Sequence, residues 1–270
     1  MPIGERTLIM GILNVTPDSF SDGGLFVSVD DAVAQTERMV SEGADIIDVG
    51  GESTRPGAEP ISAEEEISRV VPVIETLARR FPVPLSVDTT KSEVARAALD
   101  AGAAIVNDIS ALRFDFYVAD AVARAGAGLV LMHSRGTPAT MHRMPPVADI
   151  MEEVVGSLRA SIHMAERRGV KSESIVIDPG IGFGKTQPHN LTLLRDIKRF
   201  TELGRPVVVG ASRKSFVGKI TGEPDPARRL FGTAACIAWC VANGSAVLRV
   251  HDVGPMSQVI RMTRAIMTPE

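Results

Sequence analysis

The sequence has few of the residues that often reveal a protein's chemistry directly. Its 270 residues include two cysteines, one tryptophan, one tyrosine and five histidines. The cysteines, Cys236 and Cys240, are four residues apart in an apolar, helix-like run. That spacing places them on one helix face and excludes both a disulfide and a zinc-binding pair. We expect two packed thiols, and no His/Cys/Asp cluster has the spacing of a zinc site.

Excess charge and long apolar runs are also missing. The formal net charge of −4 at pH 7 gives no reason to expect nucleic acid or a membrane surface as partner. No apolar stretch approaches the roughly 18 residues of a membrane helix. The opening MPIGERT lacks the long apolar region, behind a basic start, of a signal peptide. We expect a cytoplasmic protein that binds small molecules.

The stretch DPGIGFGKT, Asp178 to Thr186, is close to a phosphate-binding loop but does not have its spacing. The P-loop pattern requires a glycine where Pro179 stands. The dinucleotide-binding pattern requires a glycine at position 185, which is a lysine. Each pattern fails at one residue, so the glycines must serve another purpose.

A loose repeat organises the chain: a helix-like segment ends at a glycine, a short apolar strand follows, and polar residues stand at its end. The glycines are Gly43, Gly102, Gly126, Gly169, Gly204 and Gly244. Glycine is favoured just past a helix end, and continuous Val/Ile/Leu runs are typical of parallel strands buried on both faces. Further strands at 8–13 and 84–87 bring the number to eight.

Eight strands alternating with helices predict an α/β protein with a (β/α)8 TIM barrel, a single domain over residues 1–270. A doubly wound open sheet is the alternative. Such a sheet usually shows a glycine-rich loop after its first strand, where LNVTPDSF stands here. No low-complexity linker divides the chain.

Polar residues follow every predicted strand, and in TIM barrels the chemistry lies at the carboxyl ends of the strands. In strand order they are Asn14; Asp48; Asp88; Asn107 and Asp108; His133, after Met132; Asp178; Ser212, Arg213 and Lys214; and Arg249, His251 and Asp252. A single polar strand end could simply cap the next helix. Eight of them together indicate an active site.

Two kinds of polar group occur in this ring. Asp88, Asn107 and Asp178 offer acceptors, which suit a planar group rich in N–H donors. A phosphate or diphosphate would suit the cationic donors Arg55, Arg249 and His251, with Thr54 and Asn14 as neutral donors. Lys214 could serve either. A heterocycle beside a leaving diphosphate predicts a group-transfer enzyme, and Asp and Asn beside a diphosphate would suit Mg²⁺.

Two loops and one helix complete the prediction. NVTPDSFSDGG and GGESTRPGAEP are rich in Gly, Pro, Ser and Asp, and we expect them to close over substrate. The helix over 228–244 is apolar nearly all round, although a barrel helix needs only one buried face. Its other face, with Trp239 as anchor, predicts a homodimer.

In this order the motifs resemble the dihydropteroate synthase family of folate biosynthesis. The resemblance is nearly end to end and rests on GILNVTPDSFSDGG, ADIIDVGGESTRPGA, SVDTTK, NDIS, LMH, DPGIGFGKT, VGASRKSF and RVHDV. It implies a TIM-barrel transferase, usually a homodimer and a sulfonamide target. With Mg²⁺, such an enzyme joins 4-aminobenzoate to a 7,8-dihydropterin that carries a methylene diphosphate. Loss of diphosphate leaves a pterin cation, which the arylamine attacks.

The resemblance also implies residue roles. The pterin contacts would be Asp88, Asn107, Met132, Asp178, Phe183, Gly210 and Lys214, of which Asp88, Asp178 and Lys214 would be catalytic. The diphosphate contacts would be Asn14, Thr54, Arg55, Arg249 and His251, with Asn14 also near Mg²⁺. Those of 4-aminobenzoate would be Thr54, Pro56, Phe183, Ser212 and Lys214. The glycines after Asp178 would let the backbone pass under the pterin, and Lys214, not Lys185, would be the working lysine.

The chain departs from the family pattern after NDIS, where glycine and, a little later, Asp-Pro are usual. Here Ala111 and Phe116 stand in place of the glycine and the proline. Two alternatives remain at this point. A methyltetrahydrofolate methyltransferase domain would keep the pterin acids but has no use for ESTRPG or RVHDV as diphosphate binders. An inactive pterin-binding paralogue should have lost STRPG or the lysine of SRK, and both are intact.

Overall fold

Parallel strands alternate with helices throughout the computed structural model, which describes residues 3–4, 6–16, 28–55 and 57–269. The strands are β1 (Leu8–Asn14), β2 (Ile46–Gly50), β3 (Leu85–Asp88), β4 (Ile105–Asp108), β5 (Gly128–Met132), β6 (Ile175–Asp178), β7 (Val208–Val209) and β8 (Val247–Val250). The helices are α1 (Val29–Ser41), α2 (Ala63–Arg80), α3 (Ser92–Asp100), α4 (Tyr117–Ala125), α5 (Ile150–Arg167), α6 (Gln187–Arg195), α7 (Ser215–Thr221), α8 (Leu230–Ala242) and α9 (Val253–Met267).

The eight strands close into a barrel. They pair in the order β6-β5-β4-β3-β2-β1-β8-β7, and each pair is parallel. A parallel bridge between Ile177 and Val207, with a 3.0 Å hydrogen bond from Ile177 N to Pro206 O, joins β6 to the start of β7. The predicted (β/α)8 barrel is confirmed, and the open-sheet alternative is wrong.

Glycines end the helices as the repeat predicts. Positive φ angles occur at Gly43, Gly102, Gly126, Gly169, Gly204 and Gly244. At Gly126 and Gly204 the residue is a left-handed C-cap, with φ of 64° and 67°. A side chain with a Cβ disfavours this conformation, so glycine lets the chain turn directly from a helix into the next strand.

Alternate residues of each strand face opposite sides of the barrel wall. One set packs outward against the helices and includes Ile47, Val106, Ile177 and Leu248. The other set fills the amino-terminal half of the barrel interior, with Leu8, Met10, Ile46, Val130, Val176, Val208 and Val247. On several strands, the inward-facing residue two positions further along is polar. These polar residues form the floor of a site.

The two cysteines are free thiols in α8, with Cys240 fully buried. Burial raises the pKa of Cys236 to about 11 and that of Cys240 to about 12, so both are protonated at neutral pH. Among the helices of the described residues, none combines the length and the apolar character needed to cross a membrane.

Candidate active site

A layer of polar side chains covers the apolar filling of the barrel. Its members Asp48, Asn107, Asp178 and Arg249 come from β2, β4, β6 and β8. Contribution of one layer by alternate strands is the packing rule of such barrels. All three acidic or amide side chains are at least 96% buried, with exposures of 0% for Asp48 and 4% for Asn107 and Asp178. The layer faces the carboxyl end of the barrel, where the predicted site lies.

Arg249 connects three strands at this floor. Its Nε donates to Asp48 Oδ2 at 2.6 Å, and its Nη2 donates to Asp88 Oδ2 at 2.7 Å. Asn107 Nδ2 donates to the same Asp48 oxygen at 3.0 Å. One guanidinium thus serves two buried carboxylates. The sequence predicted Arg249 as a diphosphate ligand, whereas here its guanidinium lies against the acids of the predicted pterin site.

Three acceptor oxygens at the floor remain free. Asp178 Oδ1 accepts from Gly180 N at 2.7 Å, which leaves Oδ2 available. Within the described ranges, no donor reaches Asp88 Oδ1, Asn107 Oδ1 or Asp178 Oδ2, and none of these atoms is enclosed. Accessible oxygens on one floor match the edge of a flat ring that carries several N–H groups.

Burial dominates the electrostatics of the site. It raises the pKa of Asp88 well above its usual range, an effect that Arg249 opposes and Asp48 strengthens. It also raises the pKa of Asp178 to about 6, against the Gly180 amide and Lys214. For Arg249, burial lowers the pKa, but the two carboxylates outweigh it and leave the pKa raised. The acids are therefore close to a protonation change at neutral pH, while Arg249 stays charged.

Lys214 and Phe183 form one wall. Lys214 Nζ lies 4.0 Å from the centroid of the Phe183 ring. Burial and, to a smaller extent, Arg249 lower the Lys214 pKa to about 8, while Asp178 and Asp88 oppose this shift. Phe183 and Met132 belong to a small buried cluster with Ile109 and Met141. Gly210 borders Arg249, since a Cβ on it would lie 3.9 Å from Arg249 Cβ.

The glycines of DPGIGFGKT pack against protein, which corrects the expectation that they make room for a pterin. Gly180, Gly182 and Gly184 all have positive φ angles. A Cβ on Gly180 would lie 1.8 Å from His133 O, and one on Gly184 would lie 2.3 Å from Arg135 O. A Cβ on Gly182 would lie 3.0 Å from Lys214 Cδ. The loop after β6 is therefore pressed against the loop after β5 and against Lys214.

Lys185 holds this loop together from inside. Its Nζ donates to the carbonyl oxygens of His133, Gly180 and Phe183 at 3.1, 2.9 and 3.1 Å. Burial lowers the pKa of Lys185 to about 7. With its three donors used by the backbone, Lys185 supports the loop. The Lys214 amine, by contrast, has no hydrogen-bond acceptor in the described part of the chain and is available to a ligand.

Ser212 and His251 form a second wall. His251 Nδ1 lies 3.0 Å from Ser212 Oγ, which also accepts from His251 N at 3.2 Å. Burial, with Arg249 and Arg213 nearby, lowers the pKa of His251 to about 3. His251 is therefore neutral in this structure, which corrects its description as a cationic donor. Arg213 and Asp252 bind each other, with Arg213 Nε donating to Asp252 Oδ2 at 3.0 Å.

The loop after β2 is anchored from below. Lys91 Nζ donates to Glu52 of this loop and, at 2.6 Å, to the buried Glu66. Arg55 is exposed and Thr54 is half-buried. Pro56, predicted to contact 4-aminobenzoate, lies outside the described residues. So do residues 17–24, which are most of NVTPDSFSDGG. Within the described ranges the Arg55 guanidinium makes no ion pair, and its backbone N–H donates to Ser53 Oγ at 3.5 Å.

At the departure after NDIS the backbone takes left-handed conformations at two residues other than glycine. Ala111, in the place of the usual glycine, has φ of 50°, and Leu112 has φ of 67°. Asp108 holds this turn by accepting from Ser110 N at 2.7 Å and from Leu112 N at 2.6 Å. Phe116 precedes α4 with φ of −70°, an angle that proline also adopts. Ala111 and Phe116 thus lie in a turn and just before α4, and neither contributes a side chain to the floor.

Comparisons with known proteins identify the family. The model of the pterin binding enzyme family matches residues 10–251. The dihydropteroate synthase of Synechocystis sp. is 48% identical over 97% of this chain and 91% of the relative. The chain belongs to the dihydropteroate synthase family. This family membership makes it a transferase of folate biosynthesis.

Solved dihydropteroate synthases have the same fold. The Xanthomonas albilineans enzyme with 4-aminobenzoic acid is 44% identical with a TM-score of 0.92, covering 98% of this chain and 95% of that one. The Yersinia pestis enzyme with a sulfonamide drug is 40% identical with a TM-score of 0.92, covering 99% and 96%. These relatives are synthases, so the methyltransferase alternative finds no support among them.

The sequence assigned no role to two residues that organise the site. Asp48 was noted as a strand end, yet it lies in the middle of β2 and faces inward. Lys91, just before α3, anchors the loop that carries Thr54 and Arg55. Alternation of inner and outer residues along β2 could have identified Asp48. No local pattern signals Lys91, because its partners are 39 and 25 residues away.

Proposed function

We propose that this chain condenses 7,8-dihydropterin-6-ylmethyl diphosphate with 4-aminobenzoate and releases 7,8-dihydropteroate and diphosphate. The observation that carries this proposal is the set of free acceptor oxygens on Asp88, Asn107 and Asp178 at the floor. A pterin presents amino and ring N–H groups along one edge, and paired hydrogen bonds to carboxylates recognise such an edge. The names of the relatives support the same reaction.

The floor acids would promote departure of the diphosphate. As the C–O bond breaks, positive charge develops over the pterin, and the carboxylates of Asp88 and Asp178 lie where that charge forms. The arylamine nitrogen then bonds to the methylene carbon and loses a proton. Since the electrophile is already a cation, no nucleophilic side chain is required. Lys214, beside both acids, would hydrogen-bond the ring on its acceptor side.

The leaving diphosphate would occupy the rim above the floor. We assign it to Asn14, Thr54, Arg55, Arg249 and His251. Arg249 can contribute only by moving one end of its guanidinium away from Asp88, because Nη2 is engaged there. His251, neutral here, can donate from one ring nitrogen, and protonation becomes more favourable once an anion lies beside it.

We assign 4-aminobenzoate to the wall formed by Phe183, Ser212 and Lys214, with Thr54 and Pro56 from the loop after β2. The Lys214 amine over the Phe183 ring places a cation beside an aromatic face. An aromatic carboxylate fits this combination, because the ring can stack while the carboxylate meets Lys214 and Ser212. Sulfonamide drugs, one of which is bound by the Yersinia pestis enzyme, would compete for this wall.

We also propose Mg²⁺ as the cofactor. In the described part of the chain, no group of three or more His, Cys, Asp or Glu side chains could hold a metal. Substrate oxygens and waters would therefore be the other ligands. Asn14 Oδ1 fits as the protein ligand: it borders Gly50, where a Cβ would lie 3.6 Å from it and 3.7 Å from Asp88 Cβ. Such an amide oxygen suits Mg²⁺, which keeps several waters and binds substrate phosphates. When bound, the ion would neutralise charge on the departing diphosphate.

Two features of the whole molecule belong to this proposal. We propose a homodimer, supported by large apolar side chains exposed on α8 and α9, of which Phe231 is 86% and Ile266 67% exposed. We also propose a cytoplasmic location, supported by two free thiols, which reducing compartments preserve.

The deciding experiment is a coupled assay of diphosphate release. Release should require the pterin diphosphate, 4-aminobenzoate and Mg²⁺ together. Full-rate release without 4-aminobenzoate would identify a hydrolase instead. Calorimetric titration of Mg²⁺ supplies a second readout: we expect binding only when diphosphate is present, and weaker binding for Asn14→Ala.

A further inference from the structure

We propose that Asp48 is a positioning residue, which fixes the Asn107 amide so that its oxygen faces the ligand and selects rings that offer N–H donors. This inference rests on the proposed function, because it concerns how the pterin site distinguishes its ligand. Asp48 is 0% exposed and cannot touch a ligand itself. It acts through Asn107, whose Nδ2 donates to Asp48 Oδ2 at 3.0 Å.

The orientation follows from the donors and acceptors of the two side chains. A carboxylate accepts hydrogen bonds and cannot donate them, whereas an amide has one accepting and one donating end. Asn107 must therefore turn its NH2 towards Asp48, which leaves Oδ1 as the accessible end. If the amide turned over, its NH2 would face the N–H groups of the ligand and repel them.

Arg249 holds Asp48 in the position from which it accepts the hydrogen bond of Asn107. Its Nε donates to Asp48 Oδ2 at 2.6 Å, a length typical of a charge-assisted bond. The same oxygen accepts from Asn107, so the carboxylate, the guanidinium and the amide form one rigid group. Two donors thus converge on Asp48 Oδ2, and that oxygen serves as the acceptor that orients Asn107.

Stability alone does not explain Asp48. Ile46, two residues earlier on the same face of β2, belongs to the apolar filling of the barrel. Another apolar residue could continue that filling, and replacing buried ion pairs with apolar groups is often neutral or stabilising. One oxygen of Asp48, Oδ1, is moreover buried without a hydrogen-bond partner in the described part of the chain. A buried carboxylate that is only half satisfied is better explained by its effect on Asn107 than by its own contribution to folding.

The test compares two ligands on one set of variants. The first ligand is 6-hydroxymethylpterin, and the second is 6-hydroxymethyllumazine, in which an oxygen acceptor replaces the 2-amino donor. Calorimetry gives the ratio of their affinities. We expect the wild-type chain to prefer the pterin, Asp48→Asn to keep most of that preference, and Asp48→Leu to lose about tenfold or more of it. Asparagine still offers Asn107 an oxygen acceptor, and leucine does not.

A double variant separates positioning from a general structural role. In Asp48→Leu/Asn107→Asp, either oxygen of the carboxylate introduced at position 107 is an acceptor, so no orientation is needed. We expect the pterin preference to return at pH 8. Failure to return, or an unchanged preference in folded Asp48→Leu, would overturn the inference. A wild-type chain with no preference would instead count against the proposed function.

A measurement on the wild-type chain does not depend on the folding of any variant. The side-chain NH2 signals of Asn107, assigned by their loss in Asn107→Asp, should be protected from exchange with deuterated water, because they point to the buried Asp48. Rapid exchange of these protons in the free protein would show that the amide is not held, and the inference would be wrong.

Discussion

A Cβ placed on Gly180 would lie 1.8 Å from the carbonyl oxygen of His133, so the two backbones touch where the loop after β6 meets the end of β5. Gly180 also has φ of 68°. Gly204 has nearly the same φ, 67°, with nothing within 4 Å of the corresponding Cβ. The two glycines therefore separate the effect of backbone conformation from that of close contact.

Gly204→Ala should lower the free energy of unfolding by about 1–2 kcal/mol, the penalty of a left-handed alanine. Gly180→Ala should lower it by at least about 3 kcal/mol, because the backbone must also move to relieve the overlap. Urea denaturation at neutral pH measures both. Equal effects would mean that the contact with His133 is not maintained in solution.

Two lysines near the site should have separable roles. Lys185→Met removes three hydrogen bonds to backbone carbonyls and should lower the free energy of unfolding by about 2–4 kcal/mol. Lys214→Met removes an amine that contacts an aromatic face, so it should cost less than about 1 kcal/mol in stability. Its kcat/KM should nevertheless fall by about 10²-fold. If Lys214→Met lost more stability and Lys185→Met lost more kcat/KM, the structural and functional roles of the two lysines would have to be exchanged.

The stability of the protein should depend on pH through Asp178. Burial raises its pKa from 3.8 to about 6, so ionisation of Asp178 disfavours the folded state. The stability associated with the protonated form is fully present below the unfolded pKa and is lost as pH rises through about 6. Asp178→Asn removes this loss. Relative to wild type, its free energy of unfolding should rise by about 2.5 kcal/mol between pH 4 and pH 7.

Urea denaturation at several pH values measures this change. Glu75→Gln, an exposed position on α2, is the control and should show little change relative to wild type. The kcat/KM of Asp178→Asn should be reduced at pH 7, because the variant lacks the carboxylate that lies where positive charge develops. A pH-independent difference between Asp178→Asn and wild type would show that the Asp178 carboxyl titrates as in the unfolded chain.

The buried ion group below the loop after β2 predicts coupling between Lys91 and Glu66. Glu66 is 1% exposed and accepts from Lys91 Nζ at 2.6 Å. Lys91→Met should lower the free energy of unfolding by about 3–5 kcal/mol, since it leaves a buried charge unpaired. Adding Glu66→Gln should restore at least half of that loss. Additive effects in this double-mutant cycle would mean that the two side chains do not interact.

The exposed apolar face of α8 should join two copies of the chain. Phe231→Glu places a charge at the large apolar side chain that is most exposed among the described residues, and it should yield a monomer by light scattering at micromolar concentration. Met164→Glu, at a 39% exposed position on α5, should leave the dimer intact. A monomeric wild-type chain, or a dimer that survives Phe231→Glu, would remove α8 from the interface.

Local patterns predicted the barrel because each strand and helix follows from a nearby run of residues. Strand ends likewise predicted which side chains share the site, since parallel strands bring their carboxyl ends to one rim. Partners across the barrel were not predictable in this way. The pairing of Arg249 with Asp48, 201 residues away, depends on barrel closure and on side-chain rotamers. The neutral state of His251 depends on burial, which no motif reports.

The inner face of a strand changes character within two residues, as from Val176 to Asp178 on β6. Substitutions in the apolar filling of the barrel, at Val130, Val176 or Val208, could therefore change thermal stability without altering the side chains that bind the ligand. Residues of the polar layer could likewise be replaced to change the reaction, while the apolar filling keeps the barrel folded. When a substitution at the rim weakens drug binding and lowers stability, better packing of the apolar filling on the same strand can restore the lost stability.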